Sequence, residues 1–293
     1  MEVTPRKSEE SMRNIGKTLE ITINETSVSY TDDGLQDSPA IFFLHGFPLN
    51  KSMWESQVSL LEQKFRVITY DIRGHGESEI GSDTLSIDLF SDDLVRLMDE
   101  LEIKTGIICG LSMGGYIALN IIQKYPERVD ALILCDTQCS ADTAEIREKR
   151  MSDIDYIKKN GVKEYAEKSV KSLFMPESID SKSKEVEFVK KMIKEMSVET
   201  LTRTLRALAD RRETCNDLSR IDVPVLIMMG EKDNITPPSK GKFMQNNINH
   251  SELKIIKHAG HVSNLENADQ FNEHLTKFVD SIYESTHKER SNP

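Results

Sequence analysis

The stretch T-G-I-I-C-G-L-S-M-G-G-Y-I-A-L-N-I-I, Thr105 to Ile122, decides how this chain is read. An apolar strand-like run meets an apolar helix-like run, with Gly110, Ser112, Gly114 and Gly115 at the join. Glycine weakens strands and helices alike, so its concentration here needs a reason. A strand that passes into a helix through one sharp turn supplies it. Residues two before and two after the apex nearly touch there, and leave no room for side chains. The serine at the apex takes a strained backbone conformation that pushes its hydroxyl outward. Gly110-x-Ser112-x-Gly114 is therefore expected to form a nucleophile elbow. A P-loop is excluded, because no G-K-[ST] follows.

Around this join, short apolar runs alternate with helical patterns. L-E-I-T-I (19–23) and S-V-S-Y (27–30) are strand-like, and D-D-G (32–34) marks a turn. I-F-F-L (41–44), R-V-I-T-Y (66–70), G-I-I-C (106–109), A-L-I-L-C (131–135) and V-L-I-M-M (225–229) read as strands buried on both faces, with L-K-I-I-K (253–257) a weaker member. Phe271, Leu275, Phe278, Val279 and Ile282 have helical spacing. The pattern predicts an α/β fold whose mostly parallel sheet is covered by helices on both faces.

One segment breaks the alternation. From 138 to 215 only helical patterns occur, and this segment has a net charge of +2 against −13 for the rest. It is expected to be a helical cap, inserted after the sixth strand over the carboxyl edge of the sheet, where open α/β sheets bind ligands. The resulting division is a flexible tail over 1–17, a core of 18–137 and 216–293, and a cap of 138–215.

The 293 residues carry a net charge of −11, which argues against nucleic acid and anionic membranes as partners. The longest apolar runs have five residues, far short of the roughly 20 that span a bilayer. The first residues show no apolar signal region, so a cytoplasmic location is expected. Four cysteines occur without a C-x-x-C pair; they are expected to be buried or inert thiols, Cys109 and Cys135 lying in apolar strands.

A serine hydroxyl needs a base, and the base needs an orienter. His261, in H-A-G-H-V between the last strand and the last helix, is the expected base. Asp233, after V-L-I-M-M, is the expected orienter, with Asp136 after A-L-I-L-C as its rival. Two N–H donors are needed for a developing oxyanion. Met113, after the serine, and Phe47, in H-G-F-P-L-N, are the candidates; Pro48 has no N–H to give. His45 and His75 lie in loops without metal-ligand spacing and are expected to brace them, so no metal is assigned. Trp54 is expected to pack rather than bind. Phe174 and Met192, in apolar stretches of the cap, are the expected substrate-pocket residues.

H-G-F-P, D-x-R-G-H-G-x-S, G-x-S-M-G-G, G-x-x-D-x-x-x-P and G-H, spread over roughly 18–284, together resemble the α/β-hydrolase superfamily. H-G-F-P-L-N-K-S-M-W and L-C-D-T are similar to its enol-lactonase, carboxylesterase and cofactor-free haloperoxidase group. The chain departs from that pattern in a cap without tryptophan and in E-N-A (266–268) where E-x-P is usual. The resemblance implies Ser112, Asp233 and His261 as catalytic triad and Phe47 and Met113 as oxyanion donors. It also implies a serine hydrolase that needs no cofactor and cleaves a small-molecule ester or lactone through an acyl-enzyme. Carbon–carbon bond hydrolysis or perhydrolysis on the same triad, and a slow ligand sensor on this fold, are the alternatives.

Overall fold

In a computed structural model, which describes residues 16–291 with side chains to 284, eight strands form one sheet in the order β1-β2-β4-β3-β5-β6-β7-β8. They are β1 (Leu19–Ile23), β2 (Thr26–Gly34), β3 (Ala40–Leu44), β4 (Arg66–Tyr70), β5 (Gly106–Leu111), β6 (Val129–Cys135), β7 (Val225–Gly230) and β8 (Ser251–Ile256). β1, β2 and β4 pair antiparallel, and every other pairing is parallel. The tail expected over 1–17 lies, up to residue 15, outside the described residues.

Among the described residues, ten α-helices connect and flank the sheet. They are α1 (Glu55–Leu61), α2 (Ile87–Glu100), α3 (Met113–Lys124), α4 (Ala144–Leu173), α5 (Ser178–Ser181), α6 (Ser183–Lys194), α7 (Val198–Ala209), α8 (Pro238–Asn247), α9 (Ser263–Glu266) and α10 (Ala268–Ser291). Serine or threonine hydroxyls cap α2, α4 and α7: Ser86 accepts from the Leu89 N–H, Thr143 from the Ile146 N–H and Ser197 from the Thr200 N–H.

Strand periodicity explains why both faces are covered. Successive side chains point to opposite sides, so Phe42, Ile68, Ile108, Leu132 and Ile227 join one core with Phe90, Leu94 and Ile117 of α2 and α3. Their neighbours Phe43, Val67, Cys109, Ile133 and Leu226 join a second core with Phe271 and Leu275 of α10. Trp54 lies in this second core, 4.9 Å from the ring of Phe43.

Four helices, α4 to α7, lie between β6 and β7. The backbone of α4 breaks at Gly161, whose φ of 84° is left-handed. Cys139 and Cys215, at the two ends of this insertion, form a disulfide across 76 residues of sequence. This corrects the expectation of inert thiols for two of the four cysteines; Cys109 and Cys135 are free and buried. Their distance in sequence hid the pair, since only the closed neck of the insertion brings them together. Disulfides persist in oxidising surroundings, so cysteine usage gives the cytoplasmic expectation no support. No helix among the described residues is long and apolar enough to cross a membrane.

Candidate active site

The register of the parallel strands sets the site. Leu44 of β3 lies opposite Gly110 of β5, Leu111 opposite Cys135 of β6, and Cys135 opposite Met228 of β7. The loops leaving these strands therefore emerge at one edge, and they carry Phe47, Ser112, Asp136 and Asp233.

Ser112 sits between β5 and α3 at φ 53° and ψ −109°, a conformation sparsely populated by side-chain-bearing residues. The glycines around it answer the question the sequence raises. A Cβ on Gly110 would stand 2.2 Å from the Gly114 carbonyl oxygen, and one on Gly114 would stand 2.2 Å from that of Leu44. Only bare backbone fits.

The structure brings Ser112, His261 and Asp233 into one hydrogen-bonded series. The Ser112 hydroxyl lies 2.8 Å from His261 Nε2, and His261 Nδ1 lies 2.8 Å from Asp233 Oδ2. A carboxylate only accepts, so Nδ1 carries the proton and Nε2 is left to accept from the serine. Asp233 is itself held. Its Oδ1 accepts from the Ile235 and Thr236 N–H groups, and its Oδ2 from the Thr236 hydroxyl.

Electrostatics follow from this arrangement. Burial would raise the Asp233 carboxyl, but the His261 charge and hydrogen bond, with the side-chain and backbone hydrogen bonds of Thr236, hold it below the usual range. Burial would likewise lower His261; the charge and hydrogen bond of Asp233 outweigh it, helped by Asp136 and Glu266, and raise its pKa above 6.5.

Asp136, the rival orienter, does not reach the imidazole by hydrogen bond. Its Oδ1 accepts from the Gly230 N–H at 2.6 Å, and its Oδ2 from the Ser263 N–H and hydroxyl. It ties the ends of β6 and β7 to the start of α9. Burial, then the Asp233 charge, push its carboxyl up to about 7.

The loop carrying Phe47 is fixed at both ends to the 71–78 loop. His45 Nε2 accepts from the Ile72 N–H, while the Lys51 N–H and ammonium donate to Asp71. His45 and His75 are buried together, 5.0 Å between ring centroids. Burial lowers their pKa values to about 4 and about 3, so they brace the loop as neutral rings. Met113 opens α3, where first-turn N–H groups have no intrahelical acceptor. Phe47, Ser112 and His261 line one cavity of about 300 Å³.

The same cavity corrects the pocket expectation. Phe174 and Met192 are buried in the second core, and neither lines it. Apolar periodicity within the insertion serves helix-on-helix packing. The cavity is lined instead by Leu173, Leu205 and Leu208, and by one face of α4: Ile146, Lys149, Arg150 and Asp153, then Tyr165, Lys168 and Ser169 beyond Gly161. Their spacing of three and four residues is helical, but α4 is charged all round, so the sequence does not say which face looks inward. Arg150 is paired with Asp142 and Lys168 with Asp153, whereas Lys149 is exposed.

Residues 39–171 match the family model described as alpha/beta hydrolase fold. A 3-oxoadipate enol-lactonase of Acinetobacter baylyi is 30% identical over 86% of this chain and 92% of its own length. An esterase of Thermogutta terrifontis, solved with malate bound, superposes with a TM-score of 0.85 at 28% identity, over 91% of this chain and 99% of that one. An enol-lactonase of Burkholderia xenovorans LB400 gives 0.84 at 25% identity, over 89% and 100%.

Proposed function

Since the chain belongs to the α/β-hydrolase superfamily, in its enol-lactonase, esterase and haloperoxidase group, and is a carboxylic ester hydrolase, we propose that it cleaves a small ester or lactone through an acyl-enzyme on Ser112. The observation that carries this reading is the unbroken series Ser112–His261–Asp233 at 2.8 Å and 2.8 Å, with Ser112 and His261 at the floor of the cavity. His261 takes the serine proton as Oγ attacks the carbonyl carbon. The developing oxyanion is held by the N–H groups of Phe47 and Met113, which are set in place before substrate arrives. His261 then protonates the leaving alkoxide. In the second half it activates a water, which releases the acid and restores the serine. No step calls for a metal or cofactor.

The insertion serves as a cap over this floor. Lys149, Arg150 and Lys168 against Asp153 give the lining of its roof a net positive charge in an otherwise acidic protein, which favours substrates bearing a carboxylate away from the scissile bond. The test of the chemistry is a fluorophosphonate probe followed by peptide mapping. Ser112 is the expected sole site of labelling; label that persists in Ser112→Ala, or is missing from the wild type, overturns the reading.

A further inference from the structure

His261 is held by the cap as well as by Asp233. Its backbone N–H donates to the carbonyl oxygen of Leu173, the last residue of α4, at 2.8 Å. One residue earlier, Gly260 is pressed against the same stretch: a Cβ there would lie 2.8 Å from the Met175 nitrogen and 3.0 Å from the Leu173 oxygen. Between them stands Glu266, 2% exposed. One carboxylate oxygen accepts from the Met175 N–H at 3.0 Å, and the other from the Gly260 N–H. The Ser178 hydroxyl, also in the cap, adds a third hydrogen bond.

This arrangement is costly. A buried carboxylate is tolerated only when compensated, and Glu266 has no lysine or arginine within ion-pairing distance among the described residues. Burial accordingly raises its pKa despite the three donors. The Asp233 charge adds repulsion. A polar residue of this kind is expected where its hydrogen bonds fix a geometry that an apolar side chain cannot. Here the donors come from two separate parts of the chain, the cap segment 173–178 and the loop 258–261.

We propose that Glu266 is a positioning residue that fastens the cap segment Leu173–Ser178 to the backbone of Gly260–His261, so that seating of the cap and alignment of the general base are one event. The proposal rests on His261 being the base, and it goes beyond the triad in giving the cap a part in kcat. A cap that lifts from the core pulls on the His261 N–H through Leu173 and on Gly260 through Glu266. The imidazole then loses its line to Ser112.

The test uses Glu266→Gln in the full chain. The amide offers one acceptor oxygen and one NH₂ group, so it cannot accept from both the Met175 and Gly260 N–H groups. Hydrogen exchange, read on peptides covering 173–178 and 258–263, is expected to accelerate in both segments together. On a small neutral ester, kcat is expected to fall about 10- to 100-fold, the scale of a misplacement near 1 Å, with a smaller change in KM. Three carboxylates face His261: Asp233 after β7, Asp136 after β6 and Glu266 on α9. Removing the charge of one lowers the histidine pKa, so the acid limb of kcat/KM moves to lower pH. Should Glu266→Gln not fold, Ser178→Ala, which removes one cap-side donor and keeps the carboxylate, is expected to accelerate exchange in both segments to a lesser degree. Faster exchange in the cap segment alone, with kcat and the acid limb unmoved, overturns the proposal. Labelling of Ser112 by a fluorophosphonate, run in parallel, reports on the triad itself and separates the two failures.

Discussion

Replacing Asp233 by asparagine changes one atom and tests the direction of the proton. In the structure, Oδ1 accepts from two backbone N–H groups, those of Ile235 and Thr236, which cannot rotate away. The asparagine oxygen must take that place, because an NH₂ group there would face two donors. The NH₂ group then points at His261 Nδ1, which has to accept. Its proton moves to Nε2, and the ring can no longer receive the proton of Ser112. Two magnitudes separate the possibilities. If Asp233 contributed only one charged hydrogen bond, worth about 1.5–3 kcal/mol, kcat would fall about 10- to 150-fold. A wrong tautomer removes base catalysis altogether and costs on the order of 10⁴, about 5.4 kcal/mol. Steady-state hydrolysis of a chromogenic ester by Asp233→Asn, with folding checked by circular dichroism, decides between them. A loss of less than about 100-fold in a folded variant would refute the tautomer argument.

Asp136→Asn is expected to cost tenfold or less, on the order of a single hydrogen bond. Its amide oxygen can keep the Gly230 N–H and its NH₂ group can donate to the Ser263 hydroxyl, so only the bond from the Ser263 N–H is lost; a larger loss than in Asp233→Asn would exchange the two roles. The acid limb of kcat/KM is expected above pH 6.5, because the base must be neutral and its pKa is raised, and a limb below that value contradicts the charge balance around His261. Cys139→Ser with Cys215→Ser, or reduction, is expected to lower stability by up to about 4.5 kcal/mol on the chain-entropy scale for a separation of 76 residues. Urea unfolding with and without reductant measures it, and coincident midpoints would remove the staple from the account. Lys149→Gln is expected to raise KM up to about fivefold for a carboxylate-bearing lactone, since an exposed ion pair is worth at most about 1 kcal/mol. An equal rise for a neutral ester would show that its role is packing.

The parts of the site legible in the sequence are those whose chemistry restricts residue type at fixed spacing. Ser112 is marked by Gly110 and Gly114, which no other residue can replace at 2.2 Å from backbone oxygen. Asp233 and His261 are marked by their places after β7 and β8. β3 to β7 are readable because burial on both faces gives continuous apolar runs, whereas D-D-G (32–34), expected as a turn, continues β2: Asp32, Asp33 and Gly34 pair with Ile68, Val67 and Arg66 of β4, an extension that its polar composition hides. The roof of the cavity was not legible. Phe174 and Met192 carry the apolar signal, and the fold spends them on packing the insertion, whereas Lys149 and Arg150 differ in no visible way from the charges on the outer face of α4. Glu266 was visible only as part of a departure from a motif, since its partners Gly260 and Met175 lie on opposite sides of β7 and β8 in the chain. The disulfide and Glu266 share this property: each joins segments far apart in sequence that only the folded chain brings together.

Among the described residues, three with side chains hold positive φ just past the carboxyl ends of parallel strands, and they let backbone strain be weighed against use. Ser112 (53°) follows β5, Asp136 (44°) follows β6 and His258 (53°) follows β8. Such a conformation costs a side-chain-bearing residue about 1–2 kcal/mol, and glycine escapes it. Ser112 supplies the hydroxyl, and the Asp136 carboxylate satisfies buried donors on Gly230 and Ser263, so at both positions the side chain compensates for the strain. His258 is exposed, and only its backbone N–H is engaged, by Glu231 at 3.3 Å. Its strain brings nothing that glycine could not keep. His258→Gly is therefore expected to stabilise the fold by up to about 1 kcal/mol, the relief being partly offset by glycine's greater freedom in the unfolded chain. His258→Val, β-branched at positive φ, is expected to destabilise it by more than about 1 kcal/mol. Equilibrium urea unfolding of the two variants reads the difference directly. Identical midpoints would mean that the turn after β8 relaxes freely, and the loop presenting His261 would then be positioned by Leu173, Asp233 and Glu266 alone.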